Sequence, residues 1–280
     1  MAAGEPRSGG PAGLYDMHVH TRFSPDSGSD LAVICRRAAE MGIPGLCFTD
    51  HAEFAPGDVV PGEDELDEMM GEIRALRRAY DGVLEIGFGV EIGYYRGRAD
   101  DIAAFLAARD FDFVLASVHV SGTVGYSFPA TMAPGTDPVD YFAPYLEDLR
   151  RMVDEVDCDS IGHMDLPKRF GPPLPGCNAL GGASPLWRDV SAFLGEIVRR
   201  GILLEINASG LRQNSGETYP SGEVLREYRR LGGDAVTLGS DSHQPSHTGW
   251  GLDRAATAAR EAGIHRAAYF LGRRPHYYPL

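Results

Sequence analysis

Seven apolar, strand-like runs recur along the chain, and each ends in polar residues that are mostly histidine or carboxylate. Segments with a helical period lie between these runs, so strand and helix alternate along the sequence. Short turns join the units, which favours parallel strands closed into an α/β barrel similar to a TIM barrel. Because a parallel barrel has its active site at the carboxyl ends of its strands, the polar run ends are expected on one face. The runs are residues 14–20, 45–51, 84–91, 113–119, 160–165, 203–207 and 235–243.

Helices are predicted wherever apolar residues return with the helical period between the runs. Two Gly- and Pro-rich stretches, residues 121–138 and 168–184, interrupt the alternation after the fourth and fifth strands. Both are expected on the active-site face as lids or substrate walls, with poorly ordered insertions as the alternative. The predicted helices are residues 31–41, 65–80, 100–109, 141–156, 186–200, 223–231 and 253–262.

The size and composition of the chain limit its domain count and its partners. With 280 residues and 43% hydrophobic content, residues 14–280 are expected to form one domain with a single large core. The net charge of −14 argues against nucleic acid as a partner. Residues 1–13 lack an apolar segment and are expected to be a disordered tail, neither a signal peptide nor a membrane anchor. The four cysteines form no C-x-x-C pair, so reduced thiols and a cytoplasmic location are predicted, with the oligomeric state left open.

The first run carries the most direct indication of a metal site. His18 and His20 are separated by one residue, so on an extended strand both imidazoles point the same way, into the barrel mouth. Imidazole and carboxylate are ligands that divalent zinc, manganese and iron accept. Asp26 follows in a loop from which its carboxylate could reach a neighbouring ion. His247, His265 and His276 are not expected to be ligands, and the last two are expected in a carboxyl-terminal helix and tail, away from strand ends.

Taken together, the polar run ends resemble the successive motifs of the PHP (polymerase and histidinol phosphatase) superfamily. The matching segments extend from about Tyr15 to His243. Within the superfamily, the chain is most similar to the monofunctional histidinol-phosphate phosphatases through residues 117–119, 126–128 and 205–212. The motifs are Asp-Met-His-Val-His at 16–20, Thr-Asp-His at 49–51, Glu91, His119, Gly-His-Met-Asp at 162–165 and Asp-Ser-His at 241–243.

This resemblance implies a distorted seven-stranded (β/α) barrel that holds two to three divalent ions of zinc, manganese or iron. Glu91 would bridge two of the ions, and Glu91, Asp241 and His243 would be catalytic. Some relatives have histidine at the position of Asp26, so its oxygen is expected to shift the metal preference toward manganese or iron. The implied ligands are His18, His20, Glu91 and Asp241 for a first ion, Glu91, His119 and His163 for a second, and Asp26, His51 and His243 for a third.

Cationic side chains near the same strand ends are candidates for binding phosphate. Lys168, the only lysine in the chain, and Arg169 directly follow the fifth strand, and Arg212 follows the sixth. Arginine suits bidentate phosphate contact, whereas lysine acts as a point charge. Salt bridges at the barrel rim are the alternative, and the resemblance favours Arg169 and Arg212 as the phosphate ligands. Asn207 and Ser209 are expected to orient substrate or ligand groups, or to shape the turn.

The leading hypothesis is a metal-dependent phosphomonoesterase acting on a small phosphorylated metabolite, most like an L-histidinol-phosphate phosphatase. Phosphate monoesters hydrolyse very slowly without a catalyst, because their negative charges repel a nucleophile. Clustered divalent ions lower the pKa of a shared water from about 15.7 toward roughly 7 and bind the phosphoryl oxygens. The alternatives are a phosphoesterase acting on nucleotides or oligonucleotide ends, an amidohydrolase that cleaves C–N bonds, and a non-catalytic metal-binding module.

Overall fold

The structure, a computed structural model, describes residues 12–125, 137–169 and 180–280. Twelve strands occur in these ranges, and the seven predicted from the sequence are all among them. The strands are β1 (Asp16–Val19), β2 (Gly45–Phe48), β3 (His51–Glu53), β4 (Glu85–Gly93), β5 (Phe113–Ser117), β6 (Val120–Ser121), β7 (Val124–Gly125), β8 (Ser160–Ile161), β9 (Leu203–Asn207), β10 (Val236–Gly239), β11 (Arg266–Leu271) and β12 (Arg274–Pro279).

Seven α-helices within the described ranges follow the predicted positions closely. In the first of them, the Asp30 carboxylate accepts hydrogen bonds from the backbone N–H groups of Ala32 and Val33, which caps the helix. Three short 3-10 helices, Leu166–Arg169, Ala208–Arg212 and Pro245–His247, follow β8, β9 and β10. The α-helices are α1 (Leu31–Glu40), α2 (Glu63–Ala79), α3 (Ala99–Ala107), α4 (Pro138–Glu155), α5 (Trp187–Arg200), α6 (Gly222–Arg230) and α7 (Leu252–Glu261).

Seven strands form one parallel sheet in the order β1-β2-β4-β5-β8-β9-β10. The short β3 continues beyond β2 and pairs in parallel with the carboxyl-terminal part of β4, which places His51 opposite Glu91. β11 pairs in parallel with β10, and β12 pairs antiparallel with β11. The predicted α/β class with parallel strands is therefore confirmed.

The two ends of the parallel sheet meet where β1 lies beside the segment that follows β10. Val19 and Ser242 form a parallel bridge, and the His20 N–H donates to the Ser242 carbonyl oxygen at 2.9 Å. Asp16, which is fully buried in β1, accepts hydrogen bonds across the same junction from Ser240 N, Ser240 Oγ and Gly249 N at 2.6 to 2.9 Å. The Asp16 carboxylate therefore joins β1 to the segment that follows β10 and so helps to close the parallel sheet.

A small apolar cluster lies inside the curved sheet, apart from the larger core that the helices cover. Its members come from strands at both ends of the sheet, so the sheet must curve around them to bring them into contact. This apolar cluster fills the interior of the curved sheet on the amino-terminal side of the polar strand ends. The cluster contains Met17, Cys47, Phe113, Leu115, Leu203, Ala235, Ala268 and Phe270.

The carboxyl-terminal segment differs from the prediction of a helix and tail, which was wrong. His265 directly precedes β11 and His276 lies in β12, so both belong to an antiparallel hairpin. The hairpin packs on the start of β1, where the rings of Tyr15 and Tyr269 are parallel with centroids 3.9 Å apart. Most of the predicted tail, residues 1–11, and the loop residues 126–136 and 170–179 lie outside the described residues.

Replacing Asp16 with alanine is expected to destabilise the fold. The change removes the acceptor of three buried donors, and each unsatisfied donor costs about 1–3 kcal/mol. Urea denaturation should show a loss of about 3 kcal/mol or more in the free energy of unfolding. The control Asp81→Ala, at an exposed turn, should change it by less than about 0.5 kcal/mol. Equal stability of the two variants would contradict the joining role of Asp16.

Candidate metal centre

Four ligand atoms converge at the ends of β1, β4 and β10, and we refer to His18, His20, Glu91 and Asp241 as the first group. The Nε2 atoms of His18 and His20 are 3.0 Å apart and lie 3.3 and 3.5 Å from Glu91 Oε2. Asp241 Oδ1 lies 3.8 Å from His18 Nε2 and 3.6 Å from His20 Nε2. Ligands of a tetrahedral zinc ion are about 3.4 Å apart, so these separations fit a single ion.

A second group forms on the other oxygen of Glu91, together with His119 after β5 and His163 after β8. Glu91 Oε1 lies 3.3 Å from His119 Nε2 and 2.9 Å from His163 Nε2. The two imidazole nitrogens are themselves 3.3 Å apart. Glu91 therefore lies between the first and second groups, the position that the resemblance to the PHP superfamily implies for it.

A third group lies toward the solvent and contains Asp26, His51 and His243. Asp26 Oδ2 lies 3.1 Å from His243 Nε2 and 3.7 Å from His51 Nε2. His20 is close to the same place, because its ring stacks on that of His243 with centroids 4.1 Å apart. The Asp26 side chain is about half exposed, which makes this the most open of the three groups.

The donor atoms of the first group fit a cation better than they fit one another. Glu91 Oε2 is buried and makes no hydrogen bond among the described residues, although three imidazole nitrogens, His18 Nε2, His20 Nε2 and His51 Nδ1, lie 3.0 to 3.5 Å from it. Both Nδ1 atoms of His18 and His20 are engaged elsewhere, so in the neutral imidazoles that bind a metal the Nε2 lone pairs would point at each other. Lone pairs at this separation repel unless a positive charge lies between them. The residues present therefore fit a divalent metal ion.

The charges of the centre lead to the same conclusion. Burial raises the pKa of Glu91, but the surrounding imidazoles of His18, His119 and His51 outweigh it and hold the pKa well below its usual range. Burial lowers the pKa of His18, yet Glu91 and Glu205 raise it well above the ordinary value. A buried carboxylate cluster of this kind favours a positive charge at the position between its members.

Carboxylates behind the imidazoles fix the orientation of the ligand histidines. His18 Nδ1 donates to Glu205 Oε1 at 2.7 Å. His20 Nδ1 donates to Ser24 Oγ at 3.0 Å, and Ser24 Oγ in turn donates to Asp50 Oδ1 at 2.7 Å. His119 Nδ1 donates to Glu53 Oε1 at 2.7 Å. Each contact places the proton on Nδ1 and leaves Nε2 free to bind a metal.

Sequence reasoning did not assign roles to these supporting residues, although their positions carried a partial signal. Asp50 and Glu205 lie inside the motifs compared, and Glu53 is two residues beyond His51 on the same short strand. A carboxylate at an apolar strand end needs a partner when it is buried, which is the signal available. The partner of each carboxylate could not be predicted, because the imidazole it contacts belongs to a different strand from its own.

Glycines at strand ends make room for the supporting side chains. A Cβ atom at Gly239 would lie 2.1 Å from Glu205 Oε1 and 2.5 Å from His18 Cβ. A Cβ atom at Gly162 would lie 2.2 Å from Ser117 Oγ, which donates to Glu91 Oε1. The side chains behind the ligands therefore fit only because these positions carry no side chain.

Two of the converging residues have backbone conformations that are unfavourable for residues other than glycine. The φ angle is 23° at His163 and 54° at Asp241. Such strain persists where surrounding contacts determine the conformation, and it concentrates at functional sites. At Asp241 these contacts include Ser209 Oγ, which donates to Oδ2 at 3.0 Å, and Arg212, which binds the carbonyl oxygen at 3.0 Å.

A cavity of about 290 Å³ opens beside the three groups. Arg169 and Arg212 both line it, as expected of phosphate ligands. The Arg212 guanidinium is held by the carbonyl oxygens of Ser240 and Asp241 and lies over the ring of Trp250. Leu166, Ser209, Gln213, Gln244 and His247 complete the wall around the ligand residues.

Of the other predicted substrate residues, Ser209 lines this cavity, whereas Lys168 and Asn207 do not. Lys168 Nζ lies 2.7 Å from the buried Asp165 and 3.0 Å from Glu217, which matches the salt-bridge alternative rather than contact with phosphate. Asn207 is fully buried, and its side-chain amide lies 3.3 Å from Asp241 Oδ2. His247, which is not expected to be a ligand, lines the cavity wall.

The fold and the convergent histidines and carboxylates define a barrel hydrolase that depends on metal ions. The chain belongs to the PHP domain family, whose pattern matches residues 16–209. It is 30% identical to a probable histidinol-phosphatase of Deinococcus radiodurans over 90% of this chain and 94% of that protein. It is 29% identical to the histidinol-phosphatase of Lactococcus lactis over 92% of this chain and 94% of that protein.

A crystal structure of the Lactococcus lactis histidinol phosphate phosphatase, complexed with zinc, L-histidinol and phosphate, is similar to this fold with a TM-score of 0.83. The similarity covers 94% of this chain and 98% of that one, at 27% sequence identity. None of the helices that the structure describes is both long enough and apolar enough to cross a membrane.

Replacing Gly239 with alanine is expected to weaken metal binding without removing any ligand. The new methyl group would displace Glu205 and His18, and disturbing a partner behind a ligand typically costs 10–100-fold in metal affinity. Competition with a chromophoric zinc chelator measures the affinity. The control Gly71→Ala lies in α2, where the added Cβ meets no atom within 4 Å, and should retain wild-type affinity. Unchanged zinc affinity in Gly239→Ala would contradict the orienting role of Glu205.

Proposed function

We propose that this protein is a metal-dependent phosphomonoesterase that hydrolyses L-histidinol phosphate to L-histidinol and phosphate. The observation that carries the proposal is the placement of Glu91 between two groups of imidazole nitrogens, beside a cavity with two arginines. Membership in the PHP domain family and the similarity to histidinol-phosphatases support the same activity. The protein is thus a phosphoric monoester hydrolase.

The metal ligands we propose are the three groups described above. His18, His20, Glu91 and Asp241 would hold one divalent ion, and Glu91, His119 and His163 a second. Asp26, His51 and His243 would hold a third, more exposed ion, so the enzyme binds two to three ions of zinc, manganese or iron. The zinc of the Lactococcus lactis complex and the nitrogen-rich first group support zinc as one of them.

Divalent ions bound in this way supply a water that is acidic enough to lose its proton near neutral pH and charge that offsets the phosphoryl oxygens. The chain itself orients the substrate. Arg212 and Arg169 bind the phosphoryl group from the cavity wall, and Arg212 is held in place by two backbone carbonyl groups. Ser209 and Asn207 hold the Asp241 carboxylate from behind.

The size and lining of the cavity support a small ester as the substrate. Its volume of about 290 Å³ lies just below the roughly 300–1,000 Å³ that is typical of pockets for small ligands. Beyond the arginines and proposed ligands, the wall offers neutral polar groups on Gln213, Gln244 and His247 to the leaving group. Burial, Arg212 and His243 lower the pKa of His247, so its imidazole is neutral near pH 7.

We also propose a cytoplasmic location for this enzyme. Its support is the state of three cysteines, Cys35, Cys47 and Cys158, which are buried free thiols. Cys177 lies outside the described residues.

A substrate panel tests the proposed activity. Metal-loaded enzyme is expected to hydrolyse L-histidinol phosphate with a kcat/KM at least about tenfold above that for an aryl phosphate or a nucleoside monophosphate, a difference of about 1.4 kcal/mol in transition-state binding. Steady-state phosphate release measures all three. A preference for the nucleotide would instead favour the alternative, a PHP phosphoesterase acting on nucleotides. Absence of hydrolysis with every ester would remove the phosphatase function.

Arg212→Lys is expected to reduce activity on every phosphate ester. A single ammonium group cannot replace a planar two-pronged contact, and the lost charge-assisted bond is worth about 1.5–3 kcal/mol, or roughly ten- to more than hundred-fold in kcat/KM. The same change loosens the backbone at Asp241, so metal content must be measured beside the kinetics. Arg226→Lys, exposed on α6, is the matched control. Wild-type turnover in Arg212→Lys would exclude this arginine from the phosphate site.

A further inference from the structure

Glu53 lies behind histidines of two different groups. Its Oε1 atom accepts a hydrogen bond from His119 Nδ1 at 2.7 Å and lies 3.0 Å from His51 Nδ1. His119 belongs to the second group and His51 to the third. The Glu53 side chain is only 14% exposed, so water competes little for these contacts. A single carboxylate oxygen therefore contacts both groups from outside the ligand atoms.

The pairing of β3 with β4 creates this position. In their parallel register, His51 lies opposite Glu91 and Glu53 lies opposite Gly93. A Cβ atom at Gly93 would lie 1.8 Å from Glu53 Oε2, so the carboxylate occupies the space that the missing side chain leaves. Through that space Glu53 reaches toward His119, which follows β5 on the far side of β4.

The hydrogen bond to Glu53 orients the His119 imidazole, whereas His51 Nδ1 makes no hydrogen bond among the described residues and lies 3.0 Å from both Glu53 Oε1 and Glu91 Oε2. An Nδ1–H that donates to a carboxylate leaves Nε2 as the ligand atom and holds the ring direction. His119 Nε2 then faces Glu91 and His163, whereas His51 Nε2 faces Asp26. A carboxylate oxygen has two lone pairs, so it can serve two imidazoles together. A shift of Glu53 would therefore change a contact of one ligand in each group.

We propose that Glu53 is a positioning residue that couples the second and third groups, so that an ion in either group raises the affinity of the other. This inference rests on the proposed metal sites. Ordering of Glu53 by one ion prepares the histidine of the neighbouring group, and by linkage the effect is reciprocal. The histidines of the first group have other partners, Glu205 behind His18 and Ser24 with Asp50 behind His20, and neither contacts Glu53.

Zinc titration of the metal-free full-length protein tests the coupling. Three variants are compared with wild type: Glu53→Gln, Gly93→Ala and Asp58→Asn. Glu53→Gln keeps the shape but removes the charge, and Gly93→Ala displaces an intact carboxylate. Asp58→Asn is the control, because it removes an exposed negative charge that interacts electrostatically with the Glu53 carboxylate. Competing chelators measure each binding step, and elemental analysis counts the ions.

The first two variants are expected to bind one ion with wild-type affinity and the other two about 10–100-fold more weakly, without cooperativity. Asp58→Asn should behave as wild type. The melting temperature of the metal-free proteins should be the same for wild type and Glu53→Gln, since a merely structural role would lower it and weaken all ions equally. Equal weakening of all ions, weakening in one group alone, or three unchanged affinities would each overturn the coupling.

The wild-type titration separates this inference from the proposed function. A wild-type protein that binds no zinc would refute the metal sites themselves and, with them, the proposed chemistry. Wild type that binds fewer than three ions, or three ions independently, would leave the phosphatase function standing but exclude coupling between the second and third groups. Cooperative binding of two of the three ions, lost in both Glu53→Gln and Gly93→Ala, supports it.

Discussion

The buried carboxylate of Glu91 is the constraint on which the rest of the site depends. One of its oxygens faces His18 and His20, and the other faces His119 and His163. A buried charge without partners is strongly destabilising, so Glu91 requires cationic or hydrogen-bonding groups on every side. The imidazoles that contact Glu91 belong to strands on both sides of β4, and they meet only because the sheet curves and closes near β1. The convergence of the site and the closure of the barrel are therefore one structural requirement.

Space and backbone strain at the strand ends follow from that convergence. Carboxylates must stand behind the imidazoles to orient them, and they fit where Gly93, Gly162 and Gly239 leave room. The left-handed backbone at His163 and Asp241 turns each side chain back toward the centre. Strain of this kind costs on the order of 1–3 kcal/mol for each residue, and the apolar core around the strands offsets it. The site is thus built at the expense of local stability.

Much of the fold could be predicted because its signals are local. Alternating apolar runs and helical periods located seven of the parallel strands, β1, β2, β4, β5, β8, β9 and β10, and the seven helices to within a few residues. The carboxyl-terminal hairpin could not be found in this way. β11 is held by pairing with β10 and by the stacking of Tyr269 on Tyr15, a residue at the other end of the chain. Contacts between such distant positions leave no periodic pattern in the sequence.

The sequence by itself determined which residue types stand at the strand ends, and therefore the class of fold and the metal chemistry. Only the tertiary structure decided which atoms face one another. Lys168 has the chemistry of a phosphate ligand but is paired with Asp165, whereas His247, four residues beyond the Asp-Ser-His motif and not expected to be a ligand, lines the cavity. The physical reason is that residue type and spacing are local properties. The partner of a side chain is set by strand register and sheet closure, which join residues far apart in the chain.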